Sequence, residues 1–171
     1  HKELLKIFQE FGSKHTLIIN KDIPDVIEDK NTIEENAKKK AKECYEVFKS
    51  PIISDDSGLF VDALEGQPGV HSKRYAGFSS TDVENNQKLI NELKTADNLS
   101  AFFKTVLCYF DGLNFITSKG VLEGKIVFEP RGKNGFGYDP IFEVSGKTLA
   151  EMTLDEKSNI SHRKLAAVKL V

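Results

Sequence analysis

The densest group of reactive side chains in the sequence is the run Ser54-Asp-Asp-Ser-Gly-Leu59. Neighbouring side chains of a strand point to opposite faces, so only one of Asp55 and Asp56 is expected to face a given site. The glycine that follows lets the backbone turn and present an acid and a hydroxyl to a ligand. The plainer interpretation is a turn closed by an Asx hydrogen bond, and the run taken alone favours it.

A second candidate for ligand binding is the stretch Pro130-Arg-Gly-Lys-Asn-Gly-Phe-Gly-Tyr-Asp-Pro140. Its glycines and cations can let backbone N–H groups approach an anion. Phe136 and Tyr138 offer ring faces on which a nucleobase can stack, an interaction worth roughly 1–3 kcal/mol per base. Because aromatics and Asp139 lie among the glycines, a ligand loop is favoured over a simple connection between strands.

Two further groups of charged residues are candidates for contacting an anion. Lys157, His162 and Arg163 lie close together around a predicted helix start, where a solvated helix end is the alternative. Lys38-Lys-Lys40 belongs to a predicted helix, and such a run is usually a solvated face. One of these lysines, on the face turned toward a site, can still bind a phosphate.

The positions of these groups depend on the predicted helices. Thr-x-x-Glu capping boxes at Thr32 and Thr81 predict helices that begin there, the first running to about Phe48. An apolar face near the N-terminus predicts an earlier helix that ends at Gly12. A short strand is expected over 15–20, and a last helix over about 159–171.

The predicted strands lie mainly after the first of the two capped helices. Apolar segments 52–54 and 59–63 flank the acidic run, and segments 102–110, 113–118 and 121–128 predict an antiparallel meander. Asp111-Gly112 predicts a two-residue hairpin turn, since both central residues of a type I′ turn need positive φ. Without any internal repeat or linker, the sum is one mixed α/β domain whose strands need not be parallel.

Composition narrows the class of protein and its partners. The chain has 171 residues, of which 39% are hydrophobic and 29% charged, as in a globular domain with a real core. A net charge of −2 argues against a nucleic-acid polymer as partner but allows a nucleotide. Apolar runs stay short of the roughly 18 residues of a membrane span, and a signal-peptide pattern is lacking, so we expect a cytoplasmic protein without a membrane partner. Cys44 and Cys108 lack metal-ligand spacing and are expected to be reduced thiols.

Taken together and in this order, five motifs resemble the inosine/xanthosine triphosphate pyrophosphatase family. These enzymes remove non-standard purine nucleotides, ITP, dITP and XTP, from the nucleotide pool by hydrolysing them to the monophosphate and pyrophosphate. The resemblance implies an ITPase-like α/β fold, with a mixed elongated sheet flanked by helices and two lobes around a central cleft. It also implies a homodimer. The motifs are Ser54-Asp-Asp-Ser-Gly-Leu59, Gln67-Pro-Gly69, Ser72-Lys-Arg-Tyr75, Gly135-Phe-Gly-Tyr-Asp-Pro140 and Glu156-Lys-Ser-Asn-Ile-Ser-His-Arg163.

The resemblance implies roles for individual residues. Asp56 matches the family's catalytic acid and Glu28 its metal-binding acid, and the two would hold Mg²⁺ against the triphosphate. Ser57 matches a residue that contacts the substrate, while Lys2 and Lys40 match residues on the phosphate side. The positions that match the nucleoside-binding residues are Phe136, Gly137, Tyr138, Asp139, Lys157, His162 and Arg163.

The resemblance has two departures: the final helix stops early compared with the family, and the N-terminus lacks most of the family's opening motif. Family members open with a first strand and a Thr/Ser-x-Asn-x-x-Lys loop, of which only the closing lysine is matched here, by Lys2. The chain starts at His1, without Met, in a helical pattern. We therefore expect the single domain 1–171 to lack the family's first strand because its N-terminal segment is clipped or otherwise not represented.

The implied reaction is attack of water on the α-phosphorus with loss of pyrophosphate. Asp56 would orient and deprotonate the water as a general base, and Lys2 and Lys40 would neutralise phosphate charge. Hypoxanthine and xanthine carry a 6-oxo group where adenine carries an amino group. Donors from the loop backbone, His162 or Arg163 would therefore select the 6-oxo bases.

Three alternatives stay open at this point. A septum-associated (Maf-like) nucleotide pyrophosphatase would share the fold and act on modified or pyrimidine triphosphates. A nucleotide-binding module without turnover is disfavoured because such a module has little need for Glu28 and Asp56 together. A serine hydrolase built on Ser57 is disfavoured because no G-x-S-x-G context surrounds that residue.

Overall fold

The structure is a computed structural model that describes residues 2–10, 18 and 22–170, without the side chains of Lys2 and Glu10. Within that part of the chain lie five α-helices and five strands. The helices are α1 (Lys2–Glu10), α2 (Ile33–Phe48), α3 (Asp82–Glu92), α4 (Leu154–Ile160) and α5 (His162–Leu170). The strands are β1 (Ile52–Val61), β2 (Ser100–Phe110), β3 (Phe115–Ile126), β4 (Phe142–Val144) and β5 (Lys147–Thr148).

The strands form one sheet in the order β1-β2-β3-β4-β5. Every pairing between these described strands is antiparallel. Helices pack on the long strands, α2 against β1 and β2, and α5 against β3 and β2. The predicted α/β fold with a sheet flanked by helices is confirmed, but the sheet was expected to be mixed, whereas its described pairings are antiparallel throughout. No helix among the described residues has the length and apolar character to cross a membrane.

The elongated sheet carries separate cores at its two ends. At one end, Leu59 and Val61 of β1 belong to a cluster with the apolar face of α3. At the other end, Ile53 packs against the cluster of α1 and α5, and Ile52 packs against the cluster of α2. Leu107 and Val106 of these two clusters lie opposite Asp55 and Asp56, so the acidic run of β1 borders both of them.

Two predicted interruptions in strands are absent. β1 continues through 55–58 because each of these residues has a direct partner in β2, down to Gly58 opposite Lys104. β3 continues through Gly120, which sits opposite Thr105. A Cβ added at Gly120 would lie 1.9 Å from the backbone oxygen of His162. The glycine therefore marks the close approach of α5 to the sheet, not a break in the strand.

The β2–β3 hairpin is confirmed, but its predicted two-residue turn is wrong. Phe110 pairs with Phe115, which leaves a loop of four residues, 111–114. The carboxylate of Asp111 accepts hydrogen bonds from the backbone N–H groups of Leu113 (2.8 Å) and Asn114 (2.7 Å). Gly112 takes a φ of 102°. The aspartate thus closes a longer loop with its own side chain.

The predicted helix starts are confirmed by their caps. The hydroxyl of Thr32 accepts from the N–H of Glu35, and Thr81 forms a full capping box with Glu84. The predicted C-terminal helix is present as α5, which begins only at His162 because the backbone is extended at Ser161; the preceding helix α4, capped by Thr153, was not predicted. The N-terminal helix is present as α1. The expected terminator Gly12 lies outside the described residues, and so does the expected strand over 15–20, except residue 18.

Candidate active site

The two carboxylates predicted to bind a metal ion converge on one lysine. The Nζ atom of Lys40 lies 2.6 Å from Oδ1 of Asp56 and 2.7 Å from Oε1 of Glu28. Asp56 comes from β1, Lys40 from α2, and Glu28 from the segment 22–31, which is neither helix nor strand. Nη1 of Arg74 lies 3.9 Å from Oε2 of Glu28. We refer to these four residues as the carboxylate cluster.

Burial sets the protonation of the carboxylate cluster. Asp56 is buried, and this burial raises its pKa to about 6, against the opposing charge and hydrogen bond of Lys40 and with added repulsion from Glu28 and Asp55. Burial by itself would lower the pKa of Lys40, but Asp56 and Glu28 outweigh that effect and raise it. The cluster thus combines a permanent ammonium with an acid that titrates near neutral pH, as a general base requires.

The carboxylate cluster has donors of the kind that a hard divalent cation needs. Carboxylate oxygens from one or two side chains, with phosphates and water, are the usual ligands of Mg²⁺. The Lys40 ammonium marks a position where both acids stabilise positive charge. Among the described residues, no three His, Cys, Asp or Glu side chains are grouped tightly enough to hold an ion. A cation bound by Glu28 and Asp56 would therefore take its other ligands from substrate and solvent.

The neighbouring acids of β1 point to opposite faces, as predicted. Asp55 accepts a hydrogen bond at 3.2 Å from Nε of Arg163, which belongs to α5. Nη1 of Arg163 also lies 3.4 Å from Oε2 of Glu3 in α1. Two acids therefore hold one guanidinium on the side of β1 away from Lys40.

A cavity of about 580 Å³ lies on this second side of β1, within the size range of small-ligand sites. Phe136 stands at its wall with 62% of its surface exposed. Nζ of Lys157 lies 5.0 Å from the centre of the Phe136 ring, and Cζ of Arg163 lies 5.8 Å from it. We refer to this cavity as the aromatic pocket. Its other lining residues include Glu3, Asp55, Asn134, Gly135 and Met152.

The loop that carries Phe136 is fixed by buried polar groups. Asp139 is buried and accepts hydrogen bonds from the backbone N–H of Phe136 (3.0 Å) and from Nζ of Lys157 (2.5 Å). The next peptide is held by α3: the N–H of Gly137 donates to Asp82 at 2.7 Å, and its carbonyl accepts from Asn86 at 3.1 Å. The exposed ring therefore rests on a rigid support.

Some predicted residues do not reach the wall of the aromatic pocket. The prediction that Tyr138 offers a stacking face is wrong, because that residue is buried and its hydroxyl donates to the carbonyl of Ser72 at 2.8 Å. His162 is buried too, and its ring stacks on Phe103 with centroids 4.9 Å apart. This burial, with the nearby Arg163 and Lys157 charges, lowers the pKa of His162 well below its ordinary value, so the ring is neutral.

The remaining predicted site residues do not share one location. Asp139 supports Phe136 and Lys157 from beneath the pocket. Ser57 follows Asp56 in β1, and its hydroxyl is hydrogen-bonded to that of Thr105. The side chain of Lys2 lies outside the described residues.

Several residues of the site were given no role from the sequence. Asp55 and Glu3 hold Arg163, Arg74 contacts Glu28, and Asp82 and Asn86 hold Gly137. Of these residues, Arg74 lies in the Ser72-Lys-Arg-Tyr75 motif, and that motif is the sequence signal that could have identified it as part of the site. Asp82 carried only the signal of a helix start.

Comparison with known proteins decides the family. A model of the Ham1 family matches residues 1–171. The chain belongs to the Ham1 family. Both the carboxylate cluster and the aromatic pocket therefore lie inside the Ham1 domain.

Two relatives of high sequence identity carry the same name. A dITP/XTP pyrophosphatase of Caldanaerobacter subterraneus is 50% identical over 151 residues, which cover 85% of this chain and 76% of the relative. A dITP/XTP pyrophosphatase of Streptococcus pneumoniae is 42% identical over 177 residues, covering 99% and 88%.

Solved Ham1 structures share the fold. A HAM1 protein from Coxiella burnetii superposes with a TM-score of 0.89 at 39% identity, covering 99% of this chain and 91% of that one. The Staphylococcus aureus Ham1 protein gives 0.85 at 38% identity, covering 99% and 89%.

Proposed function

We propose that this Ham1 protein hydrolyses ITP, dITP and XTP to the monophosphate and pyrophosphate. The observation that carries the proposal is the convergence of Glu28 and Asp56 on one cation position on one face of the edge strand β1, with an exposed aromatic ring at a pocket on the other face. The pocket suits a purine base, and the carboxylate cluster suits a phosphate chain with its counter-ion. Relatives named dITP/XTP pyrophosphatase support the same activity.

The carboxylate cluster provides the hydrolytic chemistry. Asp56, with its pKa near 6, accepts the proton of the water that attacks the α-phosphorus. Lys40 remains charged and donates to phosphate oxygens as negative charge shifts to the departing pyrophosphate. When bound by Glu28 and Asp56, Mg²⁺ neutralises triphosphate charge. Lys2 and Ser57 are proposed as further contacts to the phosphates and the substrate.

The aromatic pocket provides the choice of base. Phe136 stacks on the purine, while Lys157 and Arg163 present N–H donors that suit a 6-oxo group. Both cations are already held by acids, so an adenine amino group would face donors without an acceptor. Unpaired polar groups of this kind allow discrimination of up to about 10⁴-fold. In this conformation Tyr138, Asp139 and His162 support the wall of the aromatic pocket from behind. Gly137 contributes through its backbone peptide, which is held in place by α3.

Three further properties are proposed: dependence on Mg²⁺ and a homodimer, which the family resemblance implies, and a cytoplasmic location. Sedimentation equilibrium tests the homodimer directly. Cell fractionation tests the location.

The activity is tested by measuring pyrophosphate release from a panel of nucleotides, with Mg²⁺ and with EDTA. We expect ITP, dITP and XTP to be turned over at least about 10²-fold more efficiently than ATP, because only the 6-oxo bases match the donors. EDTA should remove the activity. Preference for dTTP or a methylated GTP would instead favour the Maf-like activity. Tight ITP binding without pyrophosphate release would favour a binding module.

The base platform is tested by Phe136→Ala. We expect KM for ITP to rise about 5- to 150-fold with little change in kcat, the range that corresponds to loss of one stacking contact. Phe78→Ala is the matched control, since that ring is 95% exposed and lies outside the pocket lining. A fall in kcat at unchanged KM would show that Phe136 does not support the base.

A further inference from the structure

The segment that carries Glu28 depends on contacts from other elements. Residues 22–31 form neither helix nor strand. Nζ of Lys39 binds the carbonyl of Ile27 (2.8 Å) and the carboxylate of Asp29 (2.8 Å), and the N–H of Lys30 donates to Asn36 (3.0 Å). These bonds fix the residues around Glu28 but leave the orientation of its own carboxylate to other groups.

Arg74 contacts both the main chain and the side chain of Glu28. Its Nη2 donates to the Glu28 carbonyl at 2.8 Å, and its Nη1 lies 3.9 Å from Oε2. Oε1, the other carboxylate oxygen, faces Lys40 at 2.7 Å. The guanidinium therefore lies nearer the carboxylate oxygen that does not face Lys40, an arrangement that leaves Oε1 directed to the cation position.

Arg74 projects from a short helix that is itself firmly anchored. The 3₁₀ helix Gly69–Arg74 is tied to β1 by the hydroxyl of Ser72, which accepts from the N–H of Leu59 at 2.9 Å. The carbonyl of Lys73 accepts from buried Asn85 of α3 at 3.1 Å. The base of the arginine is thus fixed from two sides, by β1 and α3, whereas the bonds described above hold the loop around Glu28 from α2.

We propose that Arg74 is a positioning residue that holds Glu28 in the cation site, an inference that rests on the proposed function. Without Arg74, the Lys40–Asp56 pair keeps its own 2.6 Å contact, and Glu28 loses the group that orients it. A lysine cannot replace the arginine fully, because a planar fork spans a carbonyl and a carboxylate while an ammonium is a point charge.

The test measures binding of Mn²⁺ alone to the nucleotide-free protein by calorimetry or electron paramagnetic resonance. We expect Arg74→Ala to weaken Mn²⁺ binding about 10- to 100-fold, the usual effect of losing a group that orients a metal ligand. The Mg²⁺ concentration for half-maximal pyrophosphate release should rise by a similar factor, and KM for ITP at saturating Mg²⁺ should stay within about threefold. Arg74→Lys should restore only part of the affinity. Lys73→Ala, an exposed neighbour on the same short helix, should behave as wild type.

A double-mutant cycle separates positioning from general damage. In a Glu28→Gln background, Arg74→Ala should add little further loss of Mn²⁺ affinity, since its target is already gone. Additive losses, or wild-type Mn²⁺ affinity in folded Arg74→Ala, would overturn the proposal, as would a wild-type protein that does not bind Mn²⁺. If Arg74→Ala loses its folded circular dichroism spectrum, Arg74→Lys takes its place in the cycle. Mn²⁺ binding without pyrophosphate release would sink the proposed function alone.

Discussion

Asp56→Asn is expected to reduce kcat for pyrophosphate release by about 10²–10⁴-fold, the usual contribution of a general base. The amide cannot accept the proton of the attacking water, but it keeps the size and one oxygen of the carboxylate. Nucleotide binding should therefore survive, because the aromatic pocket lies on the other face of β1. Single-turnover kinetics and equilibrium binding of ITP measure the two effects separately. Full activity in this variant would refute the assigned base.

The dependence of kcat/KM on pH tests which acid is the general base. In wild type, kcat/KM should fall as the pH drops below about 6, because Asp56 takes up a proton there; bound Mg²⁺ would move this limb to lower pH. The effect on stability has the opposite sign. A folded-state pKa raised above the ordinary 3.8 gives a contribution that is full below pH 3.8 and is lost as the pH rises through about 6.

Asp55→Asn is the matched control for the base. It changes the neighbouring acid of the same strand, which binds Arg163 and not Lys40. We expect a higher KM and an unchanged acid limb of the profile. If Asp55→Asn removed the limb instead, the roles of the two acids would have to be exchanged.

Asp139→Ala is expected to cause the largest loss of stability. The substitution would leave the Lys157 ammonium and the Phe136 N–H without their acceptor. In the ion pair that it breaks, the side chains of Lys157 and Asp139 are only 7% and 4% exposed. Breaking a buried pair in this way costs about 3–5 kcal/mol. For a chain of this size the melting temperature should fall by roughly 6–20 °C, which calorimetry measures directly.

An exposed ion pair provides the comparison. Glu46 and Lys49 form an i,i+3 pair with side chains 61% and 64% exposed. Glu46→Ala should change the free energy of unfolding by less than about 1 kcal/mol, because solvent screens such pairs. A melting temperature for Asp139→Ala as high as that of Glu46→Ala would show that the buried pair is not needed for the fold.

Local signals in the sequence were sufficient for two of the helix starts. A capping box is complete within four residues, so Thr32 and Thr81 could be recognised without knowledge of the fold. The strands were harder, because the acidic run interrupts the apolar pattern of β1. In the structure its polar side chains are matched by Arg163, Lys40 and Thr105 from other elements. The apparent break was the site itself, where local rules are expected to fail.

The candidate site was predictable in its residue types but not in its contacts. Glu28 and Asp56 were assigned by resemblance, and they do converge on Lys40. The partners of Arg163 could not be foreseen, because Asp55 and Glu3 lie 108 and 160 positions away in the chain. Burial was equally invisible: Tyr138 has the composition of a base platform, yet its ring is packed in the core.

The two adjacent acids of β1, Asp55 and Asp56, also help to fix the register in which β1 pairs with β2. If the strand slipped forward by one position against β2, Lys40 would still meet an aspartate, but Arg163 would meet Ser54. A backward slip would give Arg163 an aspartate and Lys40 only Ser57. Either misalignment would leave one partly buried cation without its carboxylate partner. The charges that serve the ligand therefore also help to fix the pairing register of the two strands.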